Sequence, residues 1–231
     1  MDPARTRIIA CKTMINEIRP FLSSKSICHA VEPGLHMNPA KMRDALQAII
    51  DRISANTETI ILGYGLCSMG VIGLRARHSR LVIPRRDDCI AILLGSRSAY
   101  LKEFEREPGT YFLSKGWIDA GITLLDELEK MRQHYDAQRA ERIVSRMLRH
   151  YRRLVFVNMG YHDPEPYRQF SRKAAKVLNL DYQEINGAPE FLATICNGPW
   201  DDDFVVASAG HTIRLSDFKL VASGDTSAIG R

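Results

Sequence analysis

Hydrophobic residues follow two rhythms along this chain. Short apolar runs, bounded by polar or turn-forming positions, alternate with longer segments whose apolar residues recur every three or four positions. The first rhythm is that of a strand buried on both faces, the second that of an amphipathic helix. Runs at residues 7–11, 26–31, 59–62, 80–83, 154–158, 182–185 and 203–208 predict strands, and 111–118 predicts an extended segment. Helices are predicted at 12–21, 39–53, from Asp87 or Asp88 through Glu107, as one or two long helices within 122–151, and at 166–178 and 189–196. The second of these is the clearest. Asn38 is placed to cap it, Pro39 suits its first turn, and Met42, Leu46, Ile49, Ile50 and Ile53 form one stripe.

Strands that alternate with helices imply an α/β fold, with mainly parallel sheets flanked by helices. Two such runs predict two lobes of similar βα design. The N-terminal lobe spans 1–121, a helical connector 122–151 and the C-terminal lobe 152–221, followed by a small, polar, frayed tail over 222–231.

Composition narrows the class. The 231 residues are 45% hydrophobic, enough for a core of this size. Lys and Arg number 32 against 27 Asp and Glu, a modest excess of +5. The basic residues gather at 75–86 and 132–153, which reads as solvated helix faces before it reads as a nucleic-acid surface. No stretch has the roughly 18 consecutive apolar residues of a membrane span, and the first residues lack the apolar core of a signal peptide. Five cysteines without an export signal are expected to be reduced thiols in a cytoplasmic protein.

In open α/β sheets ligands sit beyond the carboxyl ends of the strands, so the loops that follow strands hold the candidates. Cys11 ends the first run, His36 lies in GLHMNP, Cys67 in GYGLCSMG, Asp87-Asp88-Cys89 after LVIPRR, Asn158 after LVFV and His211 after VVASAG. A parallel sheet would bring Cys11, Cys67 and Cys89 to one edge. Three thiolates there would suit zinc with an open fourth position, or three irons of a [4Fe–4S] cluster. The competing reading is packing, since unpaired cysteine is often buried. Cys28 and Cys196 lie within apolar segments and read as core. Gly63 and Gly65 allow close approach of a ligand, although GYGLCSMG fits no nucleotide-binding motif. Asp88 suits a helix N-cap, a position that favours the thiolate of Cys89, while two neighbouring carboxylates oppose it. His36 and His211 could complete a site or move protons.

The segments GYGLCSMG, LVIPRRDDCIAILLGS and PGTYFLSKGWID together resemble the uncharacterised family known as domain of unknown function 1638, over nearly the whole chain. Members of that family typically carry His where this chain has Asp87, and Gly-Asn where it has Ser68-Met69. The resemblance implies an association with corrinoid-dependent methyltransferase systems for methylated amines. It thereby favours a metal or cluster at the three cysteines, in one-carbon metabolism. The leading expectation is a metal-thiolate-dependent transferase or accessory protein acting on a small-molecule substrate, with a corrinoid protein or methyltransferase as partner. Cys11, Cys67 and Cys89 would be ligands, Asp88 would support them and His211 would be an acid or base. The alternative is a non-catalytic module that binds a small anionic ligand or a corrinoid protein, using the glycine loop with Arg85 and Arg86.

Overall fold

A computed structural model describes residues 2–219; the expected tail at 222–231 lies outside them. The first sheet holds β1 (Thr6–Cys11), β2 (Ile27–Val31), β3 (Thr59–Leu62) and β4 (Arg80–Pro84), joined by β8 (Phe204–Ala207) in the order β2-β1-β3-β4-β8. The first four strands are parallel, and β8 closes one edge antiparallel to β4. The second sheet, order β5-β6-β7, is parallel throughout, with β5 at Thr110–Ser114, β6 at Arg153–Asn158 and β7 at Asp181–Asn186.

Neighbouring residues on each central strand serve opposite faces of the first sheet. Ile9, Ile60, Leu62, Leu81 and Ile83 pack with the Met42–Leu46–Ile50 stripe of α2 (Pro39–Ile53). Ile8, Ile61 and Val82 pack with α1 (Lys12–Ile18), α3 (Cys89–Leu93) and α9 (Pro189–Asn197). Both faces are covered, so the strands read as unbroken apolar runs. Asn38 caps α2 as expected, accepting from the Lys41 N–H.

The helical stretch resolves into separate pieces for local reasons. α4 (Arg97–Arg106) is parted from α3 at Gly95, where φ is +76°. α5 (Lys115–Ala120) replaces the end of the predicted extended segment. α6 (Leu124–His134) begins with a reciprocal Thr123–Asp126 capping pair, and α7 (Ala137–Met147) begins at the Asp136 cap. The two form a hairpin whose Leu128, Ala140, Val144 and Leu148 pack with Leu178 of α8 (Glu165–Leu178).

Two strands sit apart from the grouping their sequence position suggests. β5, in the 1–121 segment, belongs to the second sheet, and β8, in the 152–221 segment, belongs to the first. The chain therefore crosses between the sheets twice, and the sheets are fastened at a buried carboxylate. Glu17 of α1 is fully buried and accepts hydrogen bonds from Ser114 Oγ, the Gly116 N–H and Tyr161 Oη. Three donors meet the cost of burying it. No space remains for a side chain at Gly116, whose added Cβ would stand 2.3 Å from the Thr13 carbonyl.

Three arginines of the two basic runs are taken up by internal contacts. Arg80 lies over the Trp200 ring and donates to Thr59, and Arg86 is 4% exposed and pairs with Asp203 at 3.0 Å. Arg153 is buried against Glu103 at 2.9 Å.

Candidate functional site

Parallel strands send their carboxyl ends the same way, so the loops after β1, β2, β3 and β4 converge on one edge of the first sheet. A cavity of about 390 Å³ lies there. Cys11, Cys67 and Cys89 all line it, together with Thr13, Glu32, His36, Tyr64, Asp87, Asp88, Tyr100 and Trp117. Residues far apart in sequence meet because each follows a strand. All five cysteines of the chain are free thiols.

Each thiol is held differently. Cys11 is the last residue of β1, and its Sγ lies 2.9 Å from Thr13 Oγ1. Cys67 is buried in a loop fixed by backbone hydrogen bonds from Leu66 N–H to Arg86 O at 2.8 Å and from its own N–H to Asp87 O at 3.0 Å. Cys89 opens α3, directly after the Asp88 cap, whose carboxylate accepts from the Ala91 N–H and from Tyr100 Oη.

The backbone at Cys67 is strained. Cys67, Ser68 and Met69 all have positive φ, at 43°, 58° and 68°. A left-handed conformation costs about 1–2 kcal/mol for each non-glycine residue. Such strain gathers where a site must be held in one shape.

Electrostatics follow from burial. Desolvation pushes the Cys67 thiol up to about 12, with Cys11 and Asp88 adding to it and the backbone at Gly65 and Cys89 opposing. Burial raises Cys89 well above the ordinary thiol range, helped by Cys67, Asp88 and Cys11. Cys11 is raised by burial against the Thr13 hydroxyl. The helix start before Cys89 was a reason to expect an easily formed thiolate; desolvation outweighs it here. Burial likewise raises Asp88 despite its two donors.

Tyr64 was not singled out from the sequence, although it sits in the same glycine loop as Cys67. It is 4% exposed, lines the cavity, and its hydroxyl has no hydrogen-bond partner. All three cysteine thiols lie near enough to oppose its ionisation, after burial itself. An unpartnered buried hydroxyl costs about 1–3 kcal/mol. Tyr100, bonded to Asp88, is another lining residue that periodicity hid, because it falls inside a helix, and Thr13, Glu32 and Trp117 were likewise not singled out.

Other sequence candidates lie elsewhere. Gly63 and Gly65 do not line the cavity. A Cβ at Gly63 would stand 2.8 Å from the Ala10 side chain, and one at Gly65 would stand 2.4 Å from the Arg86 carbonyl. These glycines let backbone segments pack together. Asn158 ends β6 in the second sheet, where it donates to Glu184 and accepts from the Gly160 N–H. His211 pairs with Asp217 at 2.8 Å in a separate crevice with Arg85, Ser208 and Lys219. His36 stands exposed on the rim, with Nδ1 against the Pro33 carbonyl. Asp87 is engaged by Arg97 at 3.0 Å. Cys196 is buried and Cys28 packs against the same core cluster.

The walls of the cavity decide what it can attract. Three thiols and three carboxylates (Glu32, Asp87 and Asp88) line it, and no lysine or arginine does among the described residues. Arg85 and Arg86, the residues that would serve an anion, point their charge at Asp202, Asp203 and backbone carbonyls. As the side chains stand, no group of three His, Cys, Asp or Glu among the described residues is arranged to hold a metal ion.

A family model described as a protein of unknown function (DUF1638) matches residues 30–196. The chain belongs to this family. The match includes Cys67, Cys89, Asp88, Tyr64 and Tyr100, and begins after Cys11. Comparison with curated proteins and with solved structures gave no match. No helix among the described residues is long and apolar enough to cross a membrane.

Proposed function

We propose that the cavity at the carboxyl edge of the first sheet is a cation site, in which Cys11, Cys67 and Cys89 hold a soft metal ion for thiol-directed chemistry. The observation that carries this reading is the composition of the walls: three thiols and three carboxylates, with no lysine or arginine among the described lining residues. Their burial makes negative charge costly there, and a bound divalent cation reverses that cost by favouring the thiolates. The donor set suits zinc or an iron–sulfur cluster and is soft enough to discourage magnesium or calcium. Binding requires the Cys11 thiol to exchange its Thr13 contact for the metal.

Zinc bound by three protein ligands would supply a Lewis-acidic open position at which a substrate thiol becomes a thiolate. The protein's own residues do the rest. In this reading the Asp88 carboxyl, raised by burial and bonded to Tyr100, takes the proton that a substrate thiol gives up. The strained segment 67–69 and its bonds to residues 86–87 fix Cys67 beside Cys89. His211, across the fold beside Asp217, is assigned no part in this chemistry. The reaction proposed with it is methyl transfer from a corrinoid protein: a sulfur–carbon bond would form as the carbon–cobalt bond breaks, its electron pair staying on cobalt, which makes a transferase or its accessory the role proposed for this chain. The alternative of an anion-binding module draws no support from the cavity, since neither Arg85 nor Arg86 lines it and both donate to Asp203 or to backbone carbonyls.

The test is anaerobic purification followed by elemental analysis and an absorption spectrum, for the wild type and Cys67→Ser/Cys89→Ser. A colourless protein carrying one zinc, lost in the double variant, supports the zinc form; a brown protein carrying iron and sulfide supports the cluster. Metal-free protein that takes up neither on reconstitution overturns the reading.

A further inference from the structure

A second cavity, a cleft of about 290 Å³, shares Asp88, Tyr100 and Trp117 with the cysteine cavity. It lies where α4 and the start of α3 meet β5 of the second sheet, a seam of the kind that holds small ligands. Six aromatic side chains line it: Tyr100, Phe104, Tyr111, Phe112, Trp117 and Tyr151. None of the six is fully buried, and Phe104 and Tyr151 are 52% and 37% exposed. The rings of Tyr111 and Tyr151 stand at 86° with centroids 6.5 Å apart, so two ring planes form a corner. The Leu124 N–H donates to the Tyr111 hydroxyl at 3.0 Å and anchors that ring.

The carboxylates decide which charge the cleft accepts. Asp88 and Glu107 line it, and among the described residues no lysine, arginine or histidine does. Nearby carboxylates outside the cleft are paired, Asp87 with Arg97 at 3.0 Å and Glu103 with Arg153 at 2.9 Å. Arg153 also donates to Thr110 of the wall, but its charge is met by Glu103. Asp88 and Glu107 have no such partner among the described residues. They accept from Tyr100 and from the backbone N–H groups of Ala91 and Gly109. A wholly apolar ligand would strip water from these carboxylates and leave them unpaired, and an anion would be repelled. A cation with an apolar body suits both features, since ring faces attract its charge and cover its carbon.

We infer that this cleft binds an organic ammonium ion, a protonated amine that carries an alkyl or aryl group. Glu107, with Asp88, supplies the countercharge, and the corner of Tyr111 and Tyr151 supplies the aromatic faces. The inference stands apart from the metal reading, since none of Cys11, Cys67 and Cys89 lines the cleft.

Isothermal titration calorimetry of the full chain tests it, with benzylammonium as the ligand and benzyl alcohol as its neutral counterpart of similar shape. Near neutrality and at low salt, benzylammonium is expected to bind about tenfold more tightly than the alcohol, the joint scale of ring and carboxylate attraction. Glu107→Gln should weaken the amine about threefold to fivefold and leave the alcohol unchanged. Tyr151→Leu, which keeps apolar bulk, should weaken the amine by a similar factor and the alcohol less. Melting curves check that each variant is folded. Glu107→Gln retains an acceptor for the Gly109 N–H, so it decides the matter where Tyr151→Leu does not fold. Equal affinity for amine and alcohol makes the cleft merely apolar and overturns the inference. So does amine binding that a folded Glu107→Gln leaves unchanged, which places the ligand elsewhere. A wild type that binds no benzylammonium overturns it outright, and each of these results leaves the metal reading as it stands.

Discussion

Replacing Gly65 with alanine tests whether the glycine loop exists to bring two backbones together. The new Cβ would stand 2.4 Å from the Arg86 carbonyl oxygen and 2.9 Å from the Asp88 nitrogen. Both are backbone atoms at the end of β4 and the start of α3, so no side-chain rotation relieves the clash. The loop must lift, and lifting strains the bonds from Leu66 N–H to Arg86 O and from Cys67 N–H to Asp87 O. Overpacking costs about 1–3 kcal/mol, and each weakened bond adds about 0.5–1.5 kcal/mol. A total near 3 kcal/mol lowers the melting temperature of a chain this long by roughly 6–12 °C. The control is Gly34→Ala, where nothing lies within 4 Å of the added carbon, and a shift of about 1 °C or less is expected. Differential scanning fluorimetry of both variants provides the comparison. A Gly65→Ala protein that melts with the Gly34→Ala control would refute the close-approach account, and with it the claim that Cys67 is held by the 86–87 backbone.

Further outcomes follow from the same geometry. Met69 is half exposed with φ of 68°, so Met69→Asn, which tolerates that backbone, should raise the melting temperature by about 2–4 °C; no gain would mean that the segment carries little strain. Glu184 is held below its ordinary value, first by Arg168, with Asn158 and Tyr182 assisting, so its contribution is present above 4.5 and is lost as the pH falls through its lowered value. Glu184→Gln should therefore melt a few degrees lower than wild type near neutrality, about 1 kcal/mol after screening, with the gap closing in acid; a gap that persists in acid contradicts this. Burial raises Cys11, Cys67 and Cys89, so in metal-free native protein their alkylation by iodoacetamide should be slow near neutrality and climb with pH, which peptide mapping would follow. A reactivity plateau below pH 8 would show that one of them is an easily formed thiolate.

Much of the site was legible because it depends on chain order alone. A residue that ends a buried strand lies at the strand's carboxyl end in any parallel arrangement. That rule carried Cys11, Cys67 and Cys89 to one cavity, with His36 and Asp88. His211 and Asn158 obey the same local rule but miss the cavity. β8 runs antiparallel, so its carboxyl end lies at the opposite edge, and β6 belongs to the other sheet. Tyr64 escaped notice because an aromatic residue beside a strand ordinarily reads as core, and only the missing partner of its hydroxyl marks it out.

The sequence by itself determined the elements and what they bury. Its apolar runs set strands covered on both faces, its spacing set the stripe of α2, and Asn38, Thr123 and Asp136 set where helices start. Tertiary structure decided which strand pairs with which. Periodicity reports that a residue is buried but not against what, and pairing between residues such as Ile83 and Val205 is chosen by long-range packing. It also decided the charge of the site. The arginines next to Cys89 in sequence turn toward Asp202, Asp203 and backbone carbonyls, leaving the cavity to thiols and carboxylates. A neighbour in sequence offers a charge; only the fold settles where that charge is spent.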